Sequence, residues 1–285
     1  MPFLSPSASR PGFERRMAVV YAGTFLIFGV FQPFFPVWLK EKGLDDDWIG
    51  LILAAQIALR ILVTGPVLRR ADRTANRAGT LIVLACAAGL ASLLFGAVDG
   101  PVAILVATLI FCSLWAPLVP LGDAIALTGV RRLRIDFGRA RLWGSLAFIL
   151  ANVGAGILFG FAGAGWFPMV LSVAFIVSVL LTLTVPKDLG TPSGATNLKP
   201  PVLPPPGAVV GWRRLRPAPD LAPLAPLFLT VSLIQGSHAM LNGFASIHWV
   251  SLGYSEAEIG ILWAVGVAAE IVLFRFAAAP ILGAG

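Results

Sequence analysis

The sequence predicts an all-α polytopic membrane protein built from two related halves, and three observations carry that prediction. The 285 residues are 58% hydrophobic and 12% charged, with a mean hydropathy of +0.88, whereas a soluble domain carries about 25% charged residues. Eight apolar stretches approach the roughly 20 residues that a helix needs to cross the hydrocarbon core. A shift of 210 residues lays Gly43-Leu44-Asp45-Asp46-Asp47-Trp48-Ile49-Gly50 over Gly253-Tyr254-Ser255-Glu256-Ala257-Glu258-Ile259-Gly260. The match continues with Phe34 on Phe244, Ala54 on Ala264, Ala58 on Ala268 and Arg60 on Glu270. A buried cation in one half is thus replaced by an anion in the other, the pattern of a membrane transporter with a site between its halves.

The spans fall near 17–39, 48–68, 79–98, 102–127, 142–162, 165–185, 224–250 and 257–279. Before Met17 the chain is polar and Pro-containing and the first apolar run is long enough to span, so it reads as an uncleaved anchor. Phe25, Phe28, Phe31, Phe34 and Phe35 recur on that span at helical period, as packing residues or, if one face meets water, as a cavity wall. The second span carries Arg60. Cys86 and Cys112 sit in the third and fourth spans without a ligand-spaced partner, so both read as packing residues, with no disulfide framework and no metal site. In the fourth span Pro117 and Pro120 interrupt the hydrogen-bond ladder just before Asp123, a break tolerated mainly where a helix lines a cavity.

After the sixth span, Pro200, Pro201, Pro204, Pro205, Pro206, Pro217 and Pro219 forbid a continuous helix, and 186–222 reads as a cytoplasmic linker. It separates a six-helix half, 1–185, from 223–285, where the seventh and eighth spans restart the pattern of the first and second. The second half looks unfinished, and we expect a truncated chain.

The net charge of +7 reports orientation, not nucleic acid. Arg10, Arg15 and Arg16, then Arg69, Arg70, Arg73 and Arg77, then Arg131 to Arg141, then Lys187 to Arg216 occupy alternate loops, while Asp45, Asp46, Asp47, Asp99, Glu256 and Glu258 occupy the others. The positive-inside rule puts the N-terminus and the linker in the cytoplasm, with the 40–47 and 251–258 turns facing outward.

Ionisable residues inside spans cost a few kcal/mol or more, which makes Arg60, Asp123 and Glu270 candidates for function. Each also has a structural reading: a salt bridge that fixes packing or, for Asp123, a pairing to a basic loop near the helix end. His238, in Gln235-Gly236-Ser237-His238 beside Asn242, could donate to a substrate or relay a proton, or be a satisfied packing residue. His248 and Trp249 fit an interfacial anchor.

Pro33-Phe34-Phe35-Pro36-Val37-Trp38-Leu39, the Asp72-Arg73 loop and Phe137-Gly138-Arg139-Ala140-Arg141-Leu142-Trp143-Gly144-Ser145 resemble the major facilitator superfamily, in its lactose-permease-like branch. Pro117 to Asp123, Arg141 to Ser145, Gln235 to Ala239 and Gly266 to Glu270 are similar to the 3-phenylpropionate transporters. The resemblance implies a major facilitator fold, with Asp123 and its partner Arg141 at the substrate site, Glu270 joining them from the eighth span, and Asp72 and Arg73 in a gating loop. Leu146 and Phe148 replace the cysteine and tryptophan of the sugar permease, which argues against a sugar stacking there.

These residues lead us to expect a monomeric secondary transporter whose partners are a small molecule, protons and the bilayer. No cofactor is needed beyond the proton gradient. An aromatic carboxylate such as 3-phenylpropionate would find a cation in Arg60 or Arg141 and an apolar wall in the phenylalanines. A proton symporter for a sugar or nucleoside is the alternative. A membrane sensor is a third reading; an intramembrane enzyme has little support, because HExxH and GxSxG are absent from the sequence.

Overall fold

The computed structural model describes residues 10–186 and 224–282, side chains 273–282 excepted. Nine α-helices are found there: α1 (Arg10–Glu41), α2 (Asp46–Arg73), α3 (Arg77–Ser92), α4 (Pro101–Trp115), α5 (Leu118–Leu133), α6 (Phe137–Ala162), α7 (Phe167–Thr182), α8 (Ala225–Ser251) and α9 (Glu256–Leu282). Six segments are long and apolar enough to cross a bilayer: α1, α2, α3 with its 3-10 extension, α4 and α5 taken as one, α6, and α7 with the short 3-10 turn before it. α8 and α9 run 27 residues each, about 40 Å at 1.5 Å per residue. The linker 186–222 lies outside the described residues, save Pro186.

The helices extend beyond the apolar runs because polar end residues can continue and cap a helix after the hydrocarbon ends. Two sequence expectations, the loop placements of Asp72-Arg73 and of the arginines from Arg131 to Arg141, are corrected by this, and the expected break in the fourth span is present. Asp72 and Arg73 belong to the last turn of α2 and not to a loop. Arg131 and Arg132 close α5, while Arg139 and Arg141 lie inside α6, whose N-cap Asp136 accepts a hydrogen bond from the Arg139 N–H at 3.1 Å. The fourth span is divided at Ala116-Pro117. Pro117 and Pro120 carry no N–H, which removes the helical donors for the carbonyls of Ser113 and Ala116.

The internal repeat is legible at the level of single hydrogen bonds. Gly43 and Gly253 both take positive φ, 79° and 89°, a backbone that glycine adopts without steric cost. The Leu44 N–H reaches the Leu39 carbonyl at 3.2 Å, and the Tyr254 N–H reaches the Trp249 carbonyl at 3.1 Å, the same bond one repeat later. Asp45 then caps α2 by accepting from the Trp48 N–H at 2.9 Å. Its counterpart Ser255 forms a capping box, accepting from the Glu258 N–H at 3.3 Å while Glu258 accepts from the Ser255 N–H at 2.8 Å.

α1 is the central helix, packed against both α6 and α7. Its phenylalanines divide in function. Phe31, Phe34 and Phe35 are buried. Phe34 meets Phe159 of α6 edge-on at 5.0 Å, and Phe31 stacks on Phe35 at 4.4 Å and Phe111 at 5.3 Å. Outward-facing Ile61, Leu90, Leu150, Phe161 and Ile176 are exposed, as lipid-facing side chains of a membrane protein must be.

The later helices join through a close seam. α8 packs on α1 and α9 on α6. An added Cβ at Gly156 of α6 would lie 2.5 Å from the Glu256 carbonyl oxygen, and one at Gly260 of α9 would lie 2.5 Å from the Asn152 carbonyl oxygen. Glycine is what lets these backbones touch. Only the end of each later helix nearest the 252–255 turn is engaged: Gly243, Ser246, Ile259, Gly260, Trp263 and Ala264 are buried, whereas Ala225 to Leu241 and Glu270 are exposed.

Candidate functional site

Between the two sets of helices lies a cavity of about 300 Å³, lined by α1, α2, α4 and α8. One wall is aromatic: Phe28 and Trp115 meet at 4.3 Å between ring centroids, with Phe31 and Phe35 beside them. The opposite wall, from α8, is polar and presents Gln235, His238 and Asn242. On α2, Gln56 and Arg60, one helical turn apart, share the cavity face. Arg60 is the one lysine or arginine among the lining residues.

Gln32 and Asn242 occupy equivalent positions in the two repeats, and the Gln32 Nε2 donates to the Asn242 Oδ1 at 2.9 Å. A bond between equivalent residues lies close to the pseudo-two-fold axis that relates them, so the cavity sits on that axis. Under the same shift Phe28 corresponds to His238 and Phe25 to Gln235. The aromatic wall and the polar wall are therefore the same helical face, given different chemistry in the two repeats.

Cys112 is buried, lines the cavity and places its Sγ 3.5 Å from the Gln56 Oε1. Cys86 is exposed and so does not pack as expected. The Trp115 Nε1 is buried without a hydrogen-bond partner among the described residues, at an ordinary cost of about 1–3 kcal/mol for a buried orphan donor. Ala116, whose carbonyl the Pro120 ring leaves without its helical donor, borders the same cavity.

A second cluster holds Asp123 and Arg141. The Tyr21 hydroxyl donates to the Asp123 Oδ1 at 2.7 Å, and the Arg141 Nη1 reaches the same oxygen at 3.3 Å. The guanidinium lies over the Phe25 ring at 4.3 Å and the Tyr21 ring at 5.4 Å, a cation–π arrangement that fixes its plane. Both side chains of the ion pair remain about one-third exposed, at 35% and 32%.

The structure thus brings Arg60, Gln235 and His238 together in the cavity and Asp123 with Arg141 in a separate cluster. Glu270 joins neither: it is exposed and has no ion pair or hydrogen bond among the described residues. Asp72 is bound to the Arg77 Nε at 2.6 Å, and Arg77 also donates to the Ala124 carbonyl and the Thr128 hydroxyl of α5. The start of α3 is thereby tied to the end of α2 and to α5. Among the described residues no group of three His, Cys, Asp or Glu side chains could hold a metal ion.

Sequence reasoning missed Gln32, Gln56, Trp115 and Tyr21 as site residues. The first two had a signal. Gln32 falls on Asn242 in the repeat, both polar within spans, and Gln56 precedes Arg60 by one turn. Tyr21 is 102 residues from Asp123, and nothing in its neighbourhood announces the contact.

Helices in two repeated sets around an axial cavity with one arginine and a mixed aromatic and polar lining define a polytopic helical membrane protein. The chain belongs to the MFS_1 like family, whose model matches residues 15–283, and so to the major facilitator superfamily. It is 33% identical over 266 residues to a protein of Escherichia coli K12 named "Probable 3-phenylpropionic acid transporter", covering 91% of this chain and 65% of that one. It is 27% identical over 196 residues to the maltose permease of Geobacillus stearothermophilus, covering 67% of this chain and 50% of the permease. The crystal structure of the nucleoside transporter NupG is similar in fold, with a TM-score of 0.72 at 16% identity, over 95% of this chain and 68% of that one. The chain therefore spans about half to two-thirds of the length of these curated relatives.

Proposed function

We propose that the protein is a proton-coupled importer of a small aromatic carboxylate such as 3-phenylpropionate, working by alternating access in the bacterial inner membrane with its N-terminus in the cytoplasm. The carrying observation is the axial cavity, where the lone cation Arg60 faces an aromatic wall of Phe28 and Trp115. A phenyl ring would lie against those rings and a carboxylate would take the Arg60 guanidinium, with Gln56 as a second donor. The volume of about 300 Å³ is at the small end of ligand pockets, the right scale for a one-ring acid. The printed name of the Escherichia coli relative supports the same substrate class.

Arg60 and Glu270 lie at equivalent depth in the two repeats, about 20 Å from the outer helix ends at 1.5 Å per residue. In this reading Glu270 carries the coupling proton: a carboxyl in a bilayer setting can be protonated on one side and released on the other. The Asp123–Arg141 pair serves the substrate path and Asp72 the movement of the α2–α3 end. The protein acts as a monomer, with no cofactor beyond the proton gradient, and is not an enzyme.

A nucleoside is the second reading, favoured by the amide and imidazole groups of Gln235, His238 and Asn242 on the polar wall and by the likeness to NupG. Uptake of labelled 3-phenylpropionate into cells expressing the full reading frame, with and without a protonophore, separates the two. Protonophore-sensitive accumulation above vector controls is expected. Nucleoside uptake without aromatic-acid uptake would replace the first reading with the second.

A further inference from the structure

A second, larger concavity lies away from the axial cavity, between the beginnings of α1 and α6. It measures about 660 Å³ and is lined by Arg10, Glu14, Arg15 and Arg139 at one end and by Ala18, Val19, Ala22 and Trp143 along its length. We propose that this groove binds the headgroup and one acyl chain of an anionic glycerophospholipid of the cytoplasmic leaflet.

The charge at the groove is unbalanced. Glu14 is engaged by the Arg139 Nε at 3.2 Å, so one of three arginines is neutralised. Arg10 and Arg15 are exposed and have no ion pair among the described residues. Two uncompensated guanidinium groups near a membrane surface match one phosphate.

The occupant is a lipid and not a free phosphate because of what continues below the arginines. Ala18, Val19 and Ala22 have short side chains on one strip of α1, which leaves a trough. α6 and α7 both pack on α1 but make little contact with each other beyond the turn that joins them, so the strip between them stays open to the side. Trp143 is 56% exposed beside the trough, a placement typical of the interface between headgroups and hydrocarbon. A soluble anion would use the arginines and leave this apolar continuation unfilled; a diacyl phospholipid uses both.

The test is native mass spectrometry of the full protein in detergent, titrated with phosphatidylglycerol, with phosphatidylcholine of the same acyl chains, and with inorganic phosphate. Phosphatidylglycerol is expected to be retained, and the other two not. The triple variant Arg10→Gln/Arg15→Gln/Arg139→Gln should retain phosphatidylglycerol roughly a hundredfold more weakly, at about a fivefold loss for each arginine near the surface. Ala22→Trp, which fills the trough and keeps every charge, should weaken retention as well, and it decides the matter if the triple variant does not fold. Equal retention of the two lipids, inorganic phosphate competing as well as phosphatidylglycerol, or undiminished retention in folded Ala22→Trp would each overturn the proposal.

Discussion

Replacing Arg60 with glutamine tests the axial site where the reasoning is most exposed. A carboxylate 4 Å from a guanidinium gains about 4 kcal/mol at an effective dielectric constant near 20. Arg60 is exposed, and solvent screening reduces that gain toward the about 1.5–3 kcal/mol typical of a hydrogen bond to a charged group. Taking about 2 kcal/mol, the apparent KM for 3-phenylpropionate should rise roughly 30-fold. The uncharged analogue 3-phenylpropanamide isolates the charge, because it keeps the ring that meets Phe28 and Trp115 and lacks the anion. Inhibition by the amide should change less than about fivefold in Arg60→Gln, since the glutamine NH2 can replace the guanidinium as donor to the amide carbonyl and a single hydrogen bond nets about 1 kcal/mol. Competition uptake assays on both ligands read the difference directly. If the acid and the amide weaken together, Arg60 shapes the cavity without binding the carboxylate; if neither weakens, the cavity is not the site.

Glu270→Gln should abolish accumulation driven by a proton gradient yet leave substrate exchange intact in proteoliposomes; concentrative uptake at the parent level would remove Glu270 from the coupling role. Asp123→Asn and Arg141→Gln should each lower stability by about 1 kcal/mol or less, as befits a partly exposed pair. The double variant should lose little more than either single one, and strictly additive losses in thermal unfolding would mean that the pair is not coupled. Gly260→Ala should force α9 away from Asn152, at about 1–3 kcal/mol. Its melting temperature in detergent should then fall by roughly 2–10 °C, and an unchanged value would show that the seam is looser than the backbone contact implies.

The sequence determined by itself everything that follows from polarity and repetition. A bilayer admits few ways to satisfy a backbone, so hydropathy is enough to place α1, α2, α3, α6 and α7 in it. The shift that pairs Gly43 with Gly253 also located two turns with the same positive-φ residue and the same cap position. Arg60, Gln235 and His238 stood out because polar groups at bilayer depth are costly, and the structure gathers them around one cavity. Helix ends were less legible, since arginines beyond the hydrocarbon can extend a helix or leave it with similar ease, as Arg73 and Arg139 do the former.

Tertiary structure alone decided who meets whom. Which polar residues share a cavity depends on how helices distant in the chain rotate and cross, and the pattern along any one helix carries no trace of its partner's rotation. The resemblance already pairs Asp123 with Arg141, but only the packing of α1 against α5 and α6 adds Tyr21, whose hydroxyl and the Arg141 guanidinium meet on one Asp123 oxygen. The same packing sets Glu270 apart from that cluster and brings Gln32 to Asn242 across the axis, because the glycine-lined contact of α6 with α9 fixes where the second set of helices can stand.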